Sequence, residues 1–152
     1  MSQTLLGGIL SATYNPLAGS TTTVEYLVVA GGGGGGGRGN RGGGGGGAGG
    51  LLTASGFVVT AGSALTITVG SGGAGSFYST DPSNGTNSVF STITAIGGGA
   101  GACNDTGGFN GGSGVVILRT TNTAASTTGS PTVTTDGAYN IYKFTASGSI
   151  TF

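Results

Sequence analysis

Short runs of Val, Ile, Thr and aromatic residues, each bounded by glycine, alternate along this chain with runs that carry almost no side chains. Runs of that composition between turn residues read as β-strands. They fall at 24–30, 56–60, 64–69, 88–96, 114–120, 131–135, 139–145 and 149–152. Leu65-Thr66-Ile67-Thr68-Val69 alternates apolar and polar positions at period two, as does Tyr142-Lys143-Phe144-Thr145, which is the mark of a half-buried strand. Ala146-Ser147-Gly148-Ser149, between Thr145 and Ile150, predicts a hairpin turn. No segment repeats its apolar residues at the helical period. The expected fold class is all-β, with no α-helix of note.

The side-chain-poor runs are the second half of the pattern. Glycine occupies 31–50 except for Arg38, Asn40, Arg41 and Ala48, and further tracts lie at 70–75, 97–101 and 107–114. Glycine loses more conformational freedom on folding than any other residue, by roughly 0.5–1 kcal/mol relative to alanine. Such tracts are therefore either flexible connectors or parts of a structure that requires bare backbone. Each tract borders a strand, and linkers ordinarily carry polar residues, so order is expected. Polyglycine readily adopts the left-handed polyproline II helix, three residues per turn and about 3.1 Å rise per residue, so 31–37 would span roughly 22 Å. Packed side by side without Cβ atoms, several such helices would bond laterally and satisfy their buried N–H and C=O groups. A β-sandwich combined with packed polyglycine helices is the expectation, with Arg38-Gly39-Asn40-Arg41 as a turn. Three zones follow: an N-terminal attachment or assembly segment (1–23), a glycine-rich domain (24–119), and a Thr/Ser-rich connector with C-terminal strands of the same domain (120–152).

Composition narrows the chemistry. Four acidic and four basic residues balance to zero net charge, so there is no electrostatic footprint for nucleic acid or an anionic membrane. With 36% hydrophobic residues and few charges, the chain is unlike a disordered one. Glycine does not recur at every third position and only three prolines are present, which excludes collagen. No apolar run approaches membrane-spanning length, and Met1-Ser2-Gln3-Thr4-Leu5-Leu6 lacks a basic secretory start. Cys103 is the single cysteine, expected to be structural.

Catalytic equipment is sparse. With no histidine, neither a serine–histidine triad nor a histidine metal site can be built. Glu25, Asp81, Asp105 and Asp136 lie in four different segments, and nothing in the sequence pairs them as acid and base. The Gly-x-Gly-x-x-Gly matches open no helix, and no Gly-Lys-Ser/Thr follows a glycine run, so nucleotide sites are not indicated. Asn104-Asp105-Thr106 lacks the spacing of a calcium loop. No enzyme activity, cofactor or metal is expected.

Val24-Glu25-Tyr26-Leu27-Val28-Val29-Ala30 followed by the glycine run resembles the glycine-rich domain of bacteriophage tail-fibre and adhesin proteins. Leu65 to Gly75, Asn84 to Phe90 with Ile93 to Gly99, Gly111 to Arg119 and Tyr139 to Phe152 continue the likeness in order, over 24–152. The stretch between Gly101 and Gly111 is shorter than in many members. The resemblance implies polyglycine helices packed as a sandwich, in a virion structural protein whose joining loops contact host-surface glycans or proteins. The receptor-binding candidates are then Arg38, Asn40 and Arg41; Phe77, Tyr78, Asp81 and Asn84; and Asn104, Asp105, Phe109 and Asn110. Aromatic faces beside amides and carboxylates suit sugar rings, although the same aromatics would also serve to cap the core. A purely structural role is the alternative: a capsid decoration, head fibre or filament subunit, with Leu5, Leu6, Ile9, Leu10 and Leu17 inserting into a neighbour. Other virion proteins, further copies of the chain (a trimer by analogy with fibres) and a host-surface glycan or protein are the expected partners. Nucleic acid and membrane insertion are not expected. Assembly in a bacterial cytoplasm and exposure on the particle surface complete the expectation.

Overall fold

The computed structural model describes residues 21–37, 43–76, 80–102 and 107–152. Among them the strands are β1 (Thr21–Val29), β2 (Leu51–Thr60), β3 (Ala64–Thr68), β4 (Ser88–Phe90), β5 (Ile93–Ala95), β6 (Val115–Thr120), β7 (Ser126–Thr128), β8 (Thr132–Asp136), β9 (Tyr139–Phe144) and β10 (Gly148–Thr151). They form two antiparallel sheets, ordered β2-β1-β6-β9-β8 and β5-β4-β3-β10-β7. The all-β expectation holds.

Alternation along the strands builds one core between the sheets. Val24, Val28, Val116, Leu118, Tyr142 and Phe144 come from the first sheet, and Ile67, Phe90, Ala95 and Ile150 from the second. Tyr26, Phe57 and Phe90 add an aromatic cluster with ring centroids 5.0–6.1 Å apart. Val24 pairs with Phe57 but Tyr26 with Ala54, so β2 bulges by one residue there. Gly56 takes φ +75° in that bulge, a conformation that glycine adopts without a Cβ penalty.

Two expectations about connections are corrected. The run 88–96 is a hairpin, not one strand: Phe90 pairs with Ile93 across Ser91-Thr92, and Ser91 takes φ 52°. Its N–H donates to Thr66 O at 2.9 Å, which anchors the turn on β3. The predicted turn at 146–149 is a crossover. β9 pairs with β6 and β8, whereas β10 pairs with β3 and β7. Phe144 and Ile150 both bury completely but from opposite sheets, and local alternation does not distinguish that arrangement from a hairpin. The sequence pattern also missed β7, whose three residues are all exposed, and the first half of β2, where no inward-facing apolar residue marks the strand.

Candidate functional site

The glycine tracts leave the sandwich in three out-and-back excursions. One joins β1 to β2 (31–37 out, 43–50 back), one joins β3 to β4 (70–76 out, 83–87 back), and one joins β5 to β6 (96–102 out, 107–114 back). The tract 31–37 is the hub. The N–H groups of Ala30, Gly33 and Gly36 donate to Gly50, Gly47 and Gly44 at 2.8–2.9 Å. Those of Gly31 and Gly34 donate to Thr86 and Ser83, and those of Gly32 and Gly35 to Gly112 and Phe109, at 2.8–3.0 Å. Donation thus moves to a new neighbour with each residue and returns after three. Acceptor numbers fall as donor numbers rise, so these three neighbours run antiparallel to 31–37. Acceptance follows the same period: Gly31 and Gly34 receive Gly98 and Gly101, and Gly32 and Gly35 receive Gly73 and Ser76. Those two neighbours run parallel.

The surrounding tracts bond to one another in turn. Gly44, Gly47 and Gly50 donate to Ala102, Gly99 and Ile96, while Gly85 donates to Gly98. Ser83 and Thr86 donate to Ala74 and Ser71, and Gly108, Gly111 and Gly114 to Ser76, Gly73 and Gly70. The hub's N–H groups from Ala30 to Gly36 are therefore all paired, and so are the carbonyls of Gly31, Gly32, Gly34 and Gly35, which is the condition for burying bare backbone.

Glycine is required only where a residue faces a neighbour. An ideal Cβ on Gly33 would lie 1.9 Å from Gly99 O, and one on Gly34 would lie 1.8 Å from Ala74 O. On Gly45, Gly99 and Gly112 it would meet nothing within 4 Å. The side chains the tracts carry, such as Ala48, Ser71, Ala74, Ile96, Ala100 and Phe109, are exposed, with Ser76 the buried exception. The tract 83–87 illustrates the rule. Gly85 alone turns its Cα toward 31–37, with an ideal Cβ 2.1 Å from Gly31 O. Its neighbours in sequence turn outward and reach sideways: Ser83 Oγ, Asn84 Oδ1, Thr86 Oγ1 and Asn87 Oδ1 accept from the N–H groups of Ala74, Ala100, Ser71 and Gly97 at 2.7–2.9 Å. The sequence pattern marked no glycine tract at 83–87, because one glycine among Ser83, Asn84, Gly85, Thr86 and Asn87 gives no compositional signal.

Pairing gathers the tract ends. Gly36 pairs with Gly44, Ser76 N–H donates to Gly35 O, Ser83 accepts from Gly34, and Gly101 donates to Gly34. The described tract ends at 36 and 44, 76 and 83, and 101 and 108 therefore all lie at the end of the array remote from the sandwich. Arg38, Asn40, Arg41, Phe77, Tyr78, Asn104 and Asp105 lie outside the described residues, as do Leu5, Leu6, Ile9, Leu10, Leu17 and Cys103. Asp81, Asn84, Phe109 and Asn110 are exposed. Asn110 Oδ1 accepts from Gly75 N at 2.8 Å, so Asn84 and Asn110 both brace the array. Phe109 holds its place through its carbonyl, which receives Gly35 N–H at 2.8 Å, and the residue is 87% exposed. It caps no part of the core.

The sandwich carries a second polar cluster that the sequence did not reveal. Arg119 on β6 lies opposite Glu25 on β1, with Nη1 3.0 Å from Oε2 and Nη2 3.7 Å from Asp136 Oδ2. Its guanidinium lies 3.5 Å from the centroid of the Tyr139 ring. The Glu25 hydrogen bond is the main cause of an Arg119 pKa raised above its ordinary value. A cavity of about 270 Å³ opens beside the group, lined by Thr23, Ser55, Gly56 and Thr120 among others. Among the described residues, no three His, Cys, Asp or Glu side chains are placed to hold a metal ion. The exposure of the Arg119 cluster marks it as a staple across β1, β6 and β8.

Fold and array together define a class: an all-β domain whose strands anchor a hydrogen-bonded layer of glycine tracts. The chain belongs to the glycine-rich domain family, whose pattern matches residues 9–149. Comparison with curated proteins and with solved structures gave no match.

Proposed function

We propose that the chain is a non-enzymatic virion structural protein of the tail-fibre or adhesin kind, exposed on a bacteriophage particle, whose loop tips recognise a glycan or protein on the host surface. In this reading the glycine tracts are polyproline II-like helices packed as polyglycine, and they form a rigid stalk for the tips. The observation that carries it is the convergence of three pairs of tract ends at the end of the array remote from the sandwich, beside the exposed Phe109. An aromatic face flanked by polar residues offers stacking for the apolar face of a sugar and partners for its hydroxyls. The three-residue period of the hydrogen bonds supports the polyglycine reading. Other virion proteins and further copies of the chain are the proposed assembly partners.

The test is adsorption. Purified protein should bind host cells and compete with phage adsorption, and Phe109→Ala should weaken binding at least tenfold without lowering the thermal midpoint. Failure of the wild-type protein to bind or compete would remove the recognition role.

A further inference from the structure

The hub's three-residue repeat gives it three donating and three accepting sides, and described tracts occupy five of the six. The direction of an ideal Cβ on each hub residue maps the accepting sides. On Gly31 and Gly34 it strikes the carbonyl oxygens of Ser71 and Ala74 at 1.9 and 1.8 Å, and on Gly33 that of Gly99 at 1.9 Å. These are the parallel tracts 70–76 and 96–102. On Gly32 and Gly35, the third direction, the nearest atoms are Gly47 O at 3.6 Å and Phe109 O at 3.5 Å, which is ordinary contact distance. The same side is missing from the hydrogen-bond pattern. Carbonyls of 31 and 34 receive one parallel tract and those of 32 and 35 the other, while Gly33 O receives no backbone N–H among the described residues. That oxygen sits between Gly46 and Gly111, whose ideal Cβ atoms would be 2.1 and 2.6 Å from it. A groove therefore runs along the array, floored by Gly32 and Gly35 and walled by 43–50 and 107–114. Both floor residues are partly exposed, Gly33 between them is buried, and the wall residues Gly45, Gly46, Gly47 and Gly112 are exposed.

We infer that this groove is a docking site for a glycine-rich segment of a different polypeptide, running parallel to 31–37 and donating an N–H to Gly33 O. The two parallel tracts in place define what fits: extended backbone with a three-residue repeat and no Cβ toward the hub. None of the described tracts of this chain is the occupant, because each is already bonded into its own array. The walls are backbone, so selection is by the absence of side chains, with register fixed by one acceptor in three. The inference stands on the array geometry and is independent of host recognition.

The test uses the full chain and a labelled peptide of nine glycines with two lysines at each end. Fluorescence anisotropy should show saturable binding, and the same peptide with alanine for glycine should not bind. Gly32→Ala/Gly35→Ala adds two methyl groups where space exists, so the thermal midpoint should hold while glycine-peptide binding weakens at least tenfold. Amide shifts on binding should concentrate at 32–35, 44–47 and 109–112. Absent binding, or binding unchanged in the double variant, overturns the inference, and so does unfolding of that variant. A wild-type dimer that the double variant abolishes, without peptide binding, would assign the groove to a second copy and refute the partner named here.

Discussion

Replacing Gly34 by alanine should be among the most damaging single-methyl changes in the chain. The new Cβ would lie 1.8 Å from Ala74 O and 2.4 Å from Ala74 C, both backbone atoms with no rotamer to relieve the clash. An ordinary contact needs about 3.4 Å, so the tracts must part by more than an ångström. Overpacking a close-packed interior costs about 1–3 kcal/mol. The displacement also strains the bonds Gly34 N–Ser83 O (2.9 Å) and Gly101 N–Gly34 O (2.8 Å), each worth about 1 kcal/mol net. Against this, losing a glycine reduces unfolded-state entropy and returns about 0.4–1 kcal/mol. The net cost is about 3 kcal/mol. Gly45→Ala keeps only the favourable entropic part, because its Cβ would meet nothing within 4 Å. Circular dichroism melts of the two variants should differ by about 3–4 kcal/mol, roughly 7–14 °C in midpoint for a domain of this size. Equal midpoints, or a larger loss at Gly45, would refute the assignment of which glycines face a neighbour.

The remaining predictions address separate layers of the structure. Phe144→Ala removes a fully buried ring from the core and should cost about 3–5 kcal/mol in denaturant unfolding. Asn84→Ala removes the acceptor for Ala100 N–H at an exposed site, and the loss should be about 0.5–1.5 kcal/mol by the same measurement. Arg119→Met should lower the thermal midpoint by a constant amount from pH 6 to pH 10. A raised folded-state pKa gives a contribution that is complete below the unfolded value and lost only as pH rises through the folded one, and that lies above the range scanned. Deleting residues 1–20 removes none of the described strands and should leave the melt unchanged; on the proposed virion role it should abolish incorporation into particles, as scored by immunoblot of purified virions.

Most strands were legible because their inward residues alternate with polar ones, as in Leu65 to Val69, and because glycine ends each run. Sheet membership was not legible. Val24, Phe144 and Ile150 have the same local pattern whichever sheet they join, so only long-range pairing decides that Thr145-Ala146-Ser147 crosses the core edge. The glycine tracts were legible as composition, and the uninterrupted glycines of 31–37 mark the one tract with neighbours on nearly every side. The tract 83–87 was hidden because only Gly85 faces inward. The gathering of the tract ends on one side followed from pairing between tracts, and the Arg119 staple from the β1–β6 register, neither of which leaves a trace in local sequence.

The hub also determines how the molecule carries load. Its near end continues β1, which is paired on both sides within a sheet, and its far end at Gly37 lies remote from the sandwich. A pull on that far end acts along 31–37, at right angles to the lateral bonds made by Ala30 through Gly36. Loaded in shear, those bonds resist together and do not unzip singly. The tract is thus a tension member, and extraction requires that the bonds to all five neighbouring tracts fail at once.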